Sequence, residues 1–156
     1  MSPSEGVGKA TFLEGIRAAR VELDYVLAQH DAPTLSTAVV PELSWTAKDV
    51  LAHLIGYDLA VLKAVADVRA TGSWTWPWAA PNFDPWNESQ VGPRRARSYE
   101  AVRDELDASR VRLLAELEGW PEDAGPFGKA TWDPDRSPIS WIGPHERDHA
   151  EMIAKL

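Results

Sequence analysis

At 156 residues, 44% hydrophobic and 26% charged, the chain is long enough to bury a core and reads as one globular domain over residues 1–156. It has no apolar run long enough to span a membrane, no basic-then-apolar leader at Met1-Ser2-Pro3-Ser4-Glu5-Gly6, and no cysteine. Disulfides, thiolate ligands and cysteine nucleophiles are thereby excluded, and a cytoplasmic protein without a membrane partner is expected. The formal charge of −8 argues against a phosphate backbone as partner, and the basic cluster Arg94-Arg95-Ala96-Arg97 is too short to reverse it, so no nucleic acid is expected.

The first predicted helix runs roughly from Gly8 to His30, with Phe12, Ile16, Ala19, Leu23, Val26 and Leu27 recurring at three- and four-residue steps. Asp31-Ala32-Pro33 stops it, and residues 34–44 read as a connection. His30 at the helix end suits the helix dipole and is read as structural. A second helix starts at Thr46, where Thr46 and Asp49 make a plausible capping pair. Its apolar pattern continues to about Arg69, and Gly72 ends it.

Residues 71–97 read as a long irregular loop. Four of the eight tryptophans (Trp74, Trp76, Trp78 and Trp86) fall here, and residues 71–88 hold three prolines. A loop of this length within a compact domain is often functional. A third helix begins near Ser98, a good N-cap, and carries Val102, Leu106, Ser109, Leu113, Leu114 and Leu117 as its buried stripe before Gly119 and Pro121 end it. Residues 120–140 form another proline- and glycine-rich connection. The last helix contains Pro144 in its first turn or at a kink. Four helices with long crossover loops and no alternating strand predict an all-α four-helix bundle.

The chain has four histidines, and three of them point to a site. His145 and His149 lie one turn apart on a single helix face, together with Met152, Ile153 and Leu156. Glu146, Arg147, Asp148, Glu151 and Lys155 mostly fall elsewhere. His53, in the middle of the second helix, supplies a third imidazole if the helices face each other. Three neutral imidazoles hold a divalent metal with a position left open for water or substrate. Several late first-row metals suit such a donor set, so Zn²⁺, Ni²⁺ and Fe²⁺ are all candidates. Asp49 and Tyr57, one turn to either side of His53, are candidate catalytic groups, although Asp49 also suits a cap and Tyr57 a core aromatic. Trp74, Trp76, Trp78, Phe83 and Trp86 are candidates for an apolar substrate wall or for added core, with Asn87 and Glu88 at its polar edge.

Ser44-Trp45-Thr46-Ala47-Lys48-Asp49-Val50-Leu51-Ala52-His53-Leu54 resembles the second helix of the DinB/YfiT-like superfamily of four-helix bundles, and Pro144-His145-Glu146-Arg147-Asp148-His149 resembles its final helix. The resemblance implies His53, His145 and His149 as the three metal ligands. The stretch Asn82-Phe83-Asp84-Pro85-Trp86-Asn87-Glu88, with Ser98-Tyr99-Glu100 and Ser109-Arg110, is similar to the ClbS/DfsB branch. The superfamily includes thiol-dependent transferases and isomerases that use mycothiol or bacillithiol. The resemblance therefore implies a metal-dependent enzyme that hydrolyses a small electrophilic substrate or transfers a low-molecular-weight thiol to it. The alternative it leaves is a non-catalytic small-molecule binding or self-resistance protein with a tryptophan-rich pocket. Bundles of this superfamily are often homodimers, which is compatible with either.

Overall fold

The computed structural model describes residues 8–156. Helix α1 (Lys9–Leu27) is followed at once by a short α2 (Ala32–Thr37) inside a stretch expected to be mostly a connection. Asp31 starts α2 by accepting a hydrogen bond from the Thr34 amide at 2.8 Å, and Pro33 sits in the first turn, where no amide is needed.

The longest element, α3 (Ala47–Thr71), begins as the sequence indicates. The Thr46 hydroxyl accepts from the Asp49 amide and the Asp49 carboxylate accepts from the Thr46 amide, both at 3.2 Å, so two otherwise orphaned donors are satisfied together. Gly72, at φ 76°, closes α3 in the left-handed conformation that side chains resist.

Residues 71–97 differ from expectation. They contain α4 (Asp84–Val91), continued by a 3-10 turn over Gly92–Arg94. Pro85 hides the helix from a reading of periodicity, yet it occupies the first turn, where proline is tolerated. Ser98 caps α5 (Tyr99–Glu118), accepting from the Ala101 amide at 3.1 Å. The last helix, α6 (Ile142–Ile153), holds Pro144 in its first turn.

The long helices α1, α3, α5 and α6 form the bundle, with α1 packed on α6 and α3 on α5. The fold is all-α: only isolated bridges occur among the described residues, and no helix there is long and apolar enough to cross a membrane.

The core has two apolar parts. One gathers Leu23, Leu51, Ile55, Leu106 and Ile153; the other gathers Phe12, Ile16, Val61, Leu113 and Ile142. Between them in sequence, each long helix places a charged residue inside: Arg20, Asp58, Arg110 and Glu146, all buried. Glu146 accepts from Arg20 Nε at 2.6 Å and from Arg110 Nη1 at 2.7 Å. Arg110 also donates to Asp58 through Nη2 at 3.1 Å and Nε at 3.2 Å. The Ser109 hydroxyl donates to Asp58 at 3.0 Å. This layer corrects the expectation that Glu146 lies off the buried stripe: it is completely enclosed, because two guanidinium partners make a buried carboxylate tolerable.

Candidate metal centre

α6 presents His145 and His149 on one side, and α3 brings His53 across to meet them. The Nε2 atom of His145 lies 3.2 Å from Nε2 of His53 and 3.1 Å from Nε2 of His149. A tetrahedral ion with metal–nitrogen bonds near 2.05 Å separates its ligand atoms by about 3.3 Å. Among the described residues, these three form a group whose ligand atoms all lie within 4.8 Å of one another, and they could hold a metal ion.

The chemistry of the donors fits that role. Burial, reinforced by the two neighbouring imidazoles, lowers the His53 pKa from its ordinary 6.5 to about 2. Burial and His149 lower that of His145 to about 3. Burial also lowers that of His149. The three rings are therefore neutral, the protonation state that metal ligation requires, and their Nε2 atoms converge. The outward nitrogens Nδ1 of His53 and His149 are buried without a hydrogen-bond partner. Asn87 stands near enough to the His53 imidazole to act as a hydrogen-bond partner and to offset part of its downward shift. Its own Oδ1 is also buried and unpartnered.

Tyr57, one turn beyond His53 on α3, packs edge-on against both His53 and His145, with ring centroids 4.8 Å apart in each case. Burial raises its phenol pKa, so it stays a donor at neutral pH. Asp49 is engaged in the α3 cap, and no hydrogen bond joins it to a histidine among the described residues.

Two cavities reach the histidines. One, of about 390 Å³, is walled by Tyr57, Trp76, Trp78, Phe83 and Trp141 and reaches His145. The other, of about 510 Å³, reaches His53 and His149 and is lined by Ser44, Trp45, Asp84, Asn87 and Glu88. The residues singled out in the 71–97 segment are thus divided. Trp76, Trp78 and Phe83 face one cavity, while Asn87 and Glu88 face the other. Trp86 packs on Tyr57 and Trp78 at 4.8 and 5.0 Å. Trp74 lines neither cavity and rests on Trp76 and Phe127. Glu88 accepts from Arg95 at 2.9 Å, and that contact lowers its pKa.

Trp141 and Trp45 were not expected here. Trp141 precedes His145 by four residues, a spacing that puts it on the same helical face. Trp45 precedes the α3 cap and lies 5.0 Å from His53, centroid to centroid.

The family model described as the mycothiol maleylpyruvate isomerase N-terminal domain matches residues 16–149, which include all three histidines. No curated protein matches the chain significantly. Among solved structures, the colibactin self-resistance protein ClbS, crystallised in complex with a dsDNA, aligns with a TM-score of 0.76 and 13% identity over 100% of this chain and 97% of that one. DfsB, described as a sibling lethal factor precursor, aligns with a TM-score of 0.76 and 19% identity over 97% and 95%. An uncharacterised protein from Escherichia coli UTI89 gives 0.63 and 18% over 96% and 92%.

The ClbS complex corrects the expectation that nucleic acid is excluded. Net charge is a sum over the whole surface, whereas a duplex meets one face, so a total of −8 does not decide the matter. A protein of this fold is seen with duplex DNA.

Proposed function

This chain belongs to the mycothiol maleylpyruvate isomerase N-terminal domain family, and from that membership we propose that it is a metal-dependent enzyme acting on a small electrophile, by hydrolysis or by addition of a low-molecular-weight thiol. The observation that carries this reading is the convergence of three neutral imidazole nitrogens from α3 and α6 on one point. His53, His145 and His149 would hold the ion, with Zn²⁺, Ni²⁺ and Fe²⁺ all suited to the donor set. A metal in such a site supplies Lewis-acid chemistry and makes a bound water or thiol acidic near neutral pH.

The chain's own residues do the rest. Tyr57, kept protonated by burial and packed on His145, donates a hydrogen bond to negative charge developing on the electrophile. Trp76, Trp78, Phe83 and Trp141 hold its apolar body and exclude water. Ser44, Asn87 and Glu88 give a polar cosubstrate hydrogen-bonding groups on the other side of the histidines.

Turnover is tested with an electrophile panel assayed with and without thiol, comparing the wild type with His145→Ala at matched helicity. Loss of at least a thousandfold in rate is expected, and equal rates would end the enzymatic reading. Asn87 has a separate, smaller role: its Oδ1 is the natural acceptor for the His53 Nδ1–H, because ligating histidines are normally held by such an outer hydrogen bond. Asn87→Ala is expected to weaken Zn²⁺ affinity by roughly 10- to 100-fold in a chelator competition, and Asn87→Asp to retain most of it.

A second reading is favoured by the aromatic pocket itself and by the fold shared with ClbS: a small-molecule binding or self-resistance protein without catalysis. Ligand recovered unchanged after quenching the tryptophan fluorescence supports it over turnover. Duplex DNA belongs in the same binding screen.

A further inference from the structure

Maleylpyruvate, the compound in the family's name, carries two carboxylates. A site built for such a dianion offers cations or clustered backbone amides to replace lost water. The cavity against His145 offers neither lysine nor arginine, and an ion held at the histidines would meet only one of the two carboxylates. Its wall is Tyr57, Trp76, Trp78, Phe83, Pro138 and Trp141. Trp76 and Trp78 stack on each other at 5.0 Å with their planes 13° apart, and Trp141 meets Tyr57 edge-on at 5.1 Å.

Two basic side chains of the flanking segments are committed elsewhere, and Lys129 does not line the cavity. Arg69 lies 4.5 Å over the Trp120 ring and pairs with Glu116. Arg136 pairs with Asp133. The second cavity is no better suited to an anion, because its charged lining is Asp84 and Glu88. Lys48, near that side, donates to the carbonyls of Arg95 and Arg97.

We infer that the compartment against His145 receives an uncharged, planar, ring-bearing molecule, and that the substrate of this chain differs in charge class from the dicarboxylate of the family's name. A space of about 390 Å³ accommodates one or two fused or linked rings. Flat apolar ligands gain both burial and edge or face contacts with such walls. A cationic ring, which aromatic cages otherwise attract, would stand beside a divalent ion at His145. That last point, and the placement of the reactive atom toward His145, rest on the metal reading above; the ring compartment does not.

The test is fluorescence titration of the full-length, Zn²⁺-loaded protein with N-phenyl-1-naphthylamine, a neutral probe that brightens in apolar surroundings. One site per chain is expected. Trp78→Ala, in a loop outside the helices, and Trp141→Ala should each weaken it by roughly tenfold, with helicity retained and Tyr25→Ala as an exposed control. Acetophenone should displace the probe, while maleate and phenyltrimethylammonium at the same concentration should not. Displacement by either ion as effective as by acetophenone would overturn the inference. So would probe binding indifferent to both tryptophan substitutions, or no binding at all. Metal-loaded protein that ignores the probe sinks this inference alone. Wild-type protein that takes up no metal yet binds the probe sinks the metal reading alone, whereas His149→Ala, outside the ring compartment, is expected to lose the metal and keep the probe.

Discussion

Glu146→Ala is expected to cost about 3–5 kcal/mol of folding stability, measured by urea denaturation. Glu146 is fully enclosed and accepts from both Arg20 and Arg110. Its removal leaves two guanidiniums in the core with Asp58 as the remaining carboxylate of the layer and only the half-exposed Asp107, 3.6 Å from Arg20, beside the other, so buried positive charge is left under-compensated. Glu146→Gln keeps the shape and loses the charge, and falls between the two. The contrast is with joint replacement of the layer by apolar residues of similar volume, which removes the desolvation penalty together with the attraction and is expected to be far less damaging. The layer ties α1, α3, α5 and α6 at one level. Glu146 follows His145 directly, and Asp58 follows Tyr57. The same contacts that fix the register of α6 against α3 therefore bring His145 and His149 opposite His53. A loss below 1 kcal/mol in Glu146→Ala would show that hydrophobic packing alone sets this register.

The second large effect is on pH dependence. In metal-free protein, stability is expected to fall by on the order of 3–4 kcal/mol between pH 7 and pH 5. His53 and His145 have folded pKa values depressed to about 2 and about 3, against 6.5 when unfolded. Below pH 6.5 the unfolded chain takes up protons that the folded chain refuses, so acidification favours unfolding. Each such histidine contributes about 1.4 kcal/mol per pH unit within that window. His149 shifts in the same direction. The carboxylates whose pKa values are lowered by hydrogen bonds or ion pairs, Asp31, Glu88, Glu105 and Asp133, act at lower pH and do not enter this range. Bound metal moves the transition further down, because protons must then displace the ion as well. Thermal melts of chelator-treated and Zn²⁺-loaded protein across pH 5–8 read both effects. Flat stability in the chelator-treated protein would mean that the imidazoles are already hydrated and protonatable.

The bundle was legible because its helix ends carry local chemistry: Thr46 with Asp49, Ser98, and Gly72 all act where their side chains or lack of one place them. The convergence of the histidines was legible for the same kind of reason, a spacing of four on one helix and a motif on another. α4 was missed because Pro85 interrupts the apolar period while sitting where a helix start accepts it. Glu146 was misplaced because a charged residue is read as solvent-facing, and its arginine partners lie 126 and 36 residues away in the chain. No local pattern announces a pairing of that separation. The division of residues 76–88 between two cavities likewise follows from how α4 folds back on α3, which composition does not encode. Nucleic acid was excluded from total charge, a quantity that carries no information about one face.

The central claim is that His53, His145 and His149 bind one metal ion. Its most direct test is metal content by mass spectrometry of untagged protein purified without chelator, beside His53→Ala. The account predicts near one equivalent of a late first-row divalent metal per chain in the wild type, and its loss in the variant at unchanged helicity. A wild type that carries no metal and takes up neither Zn²⁺ nor Ni²⁺ when they are added would contradict it, leaving the three imidazoles as neutral core residues beneath an aromatic binding pocket.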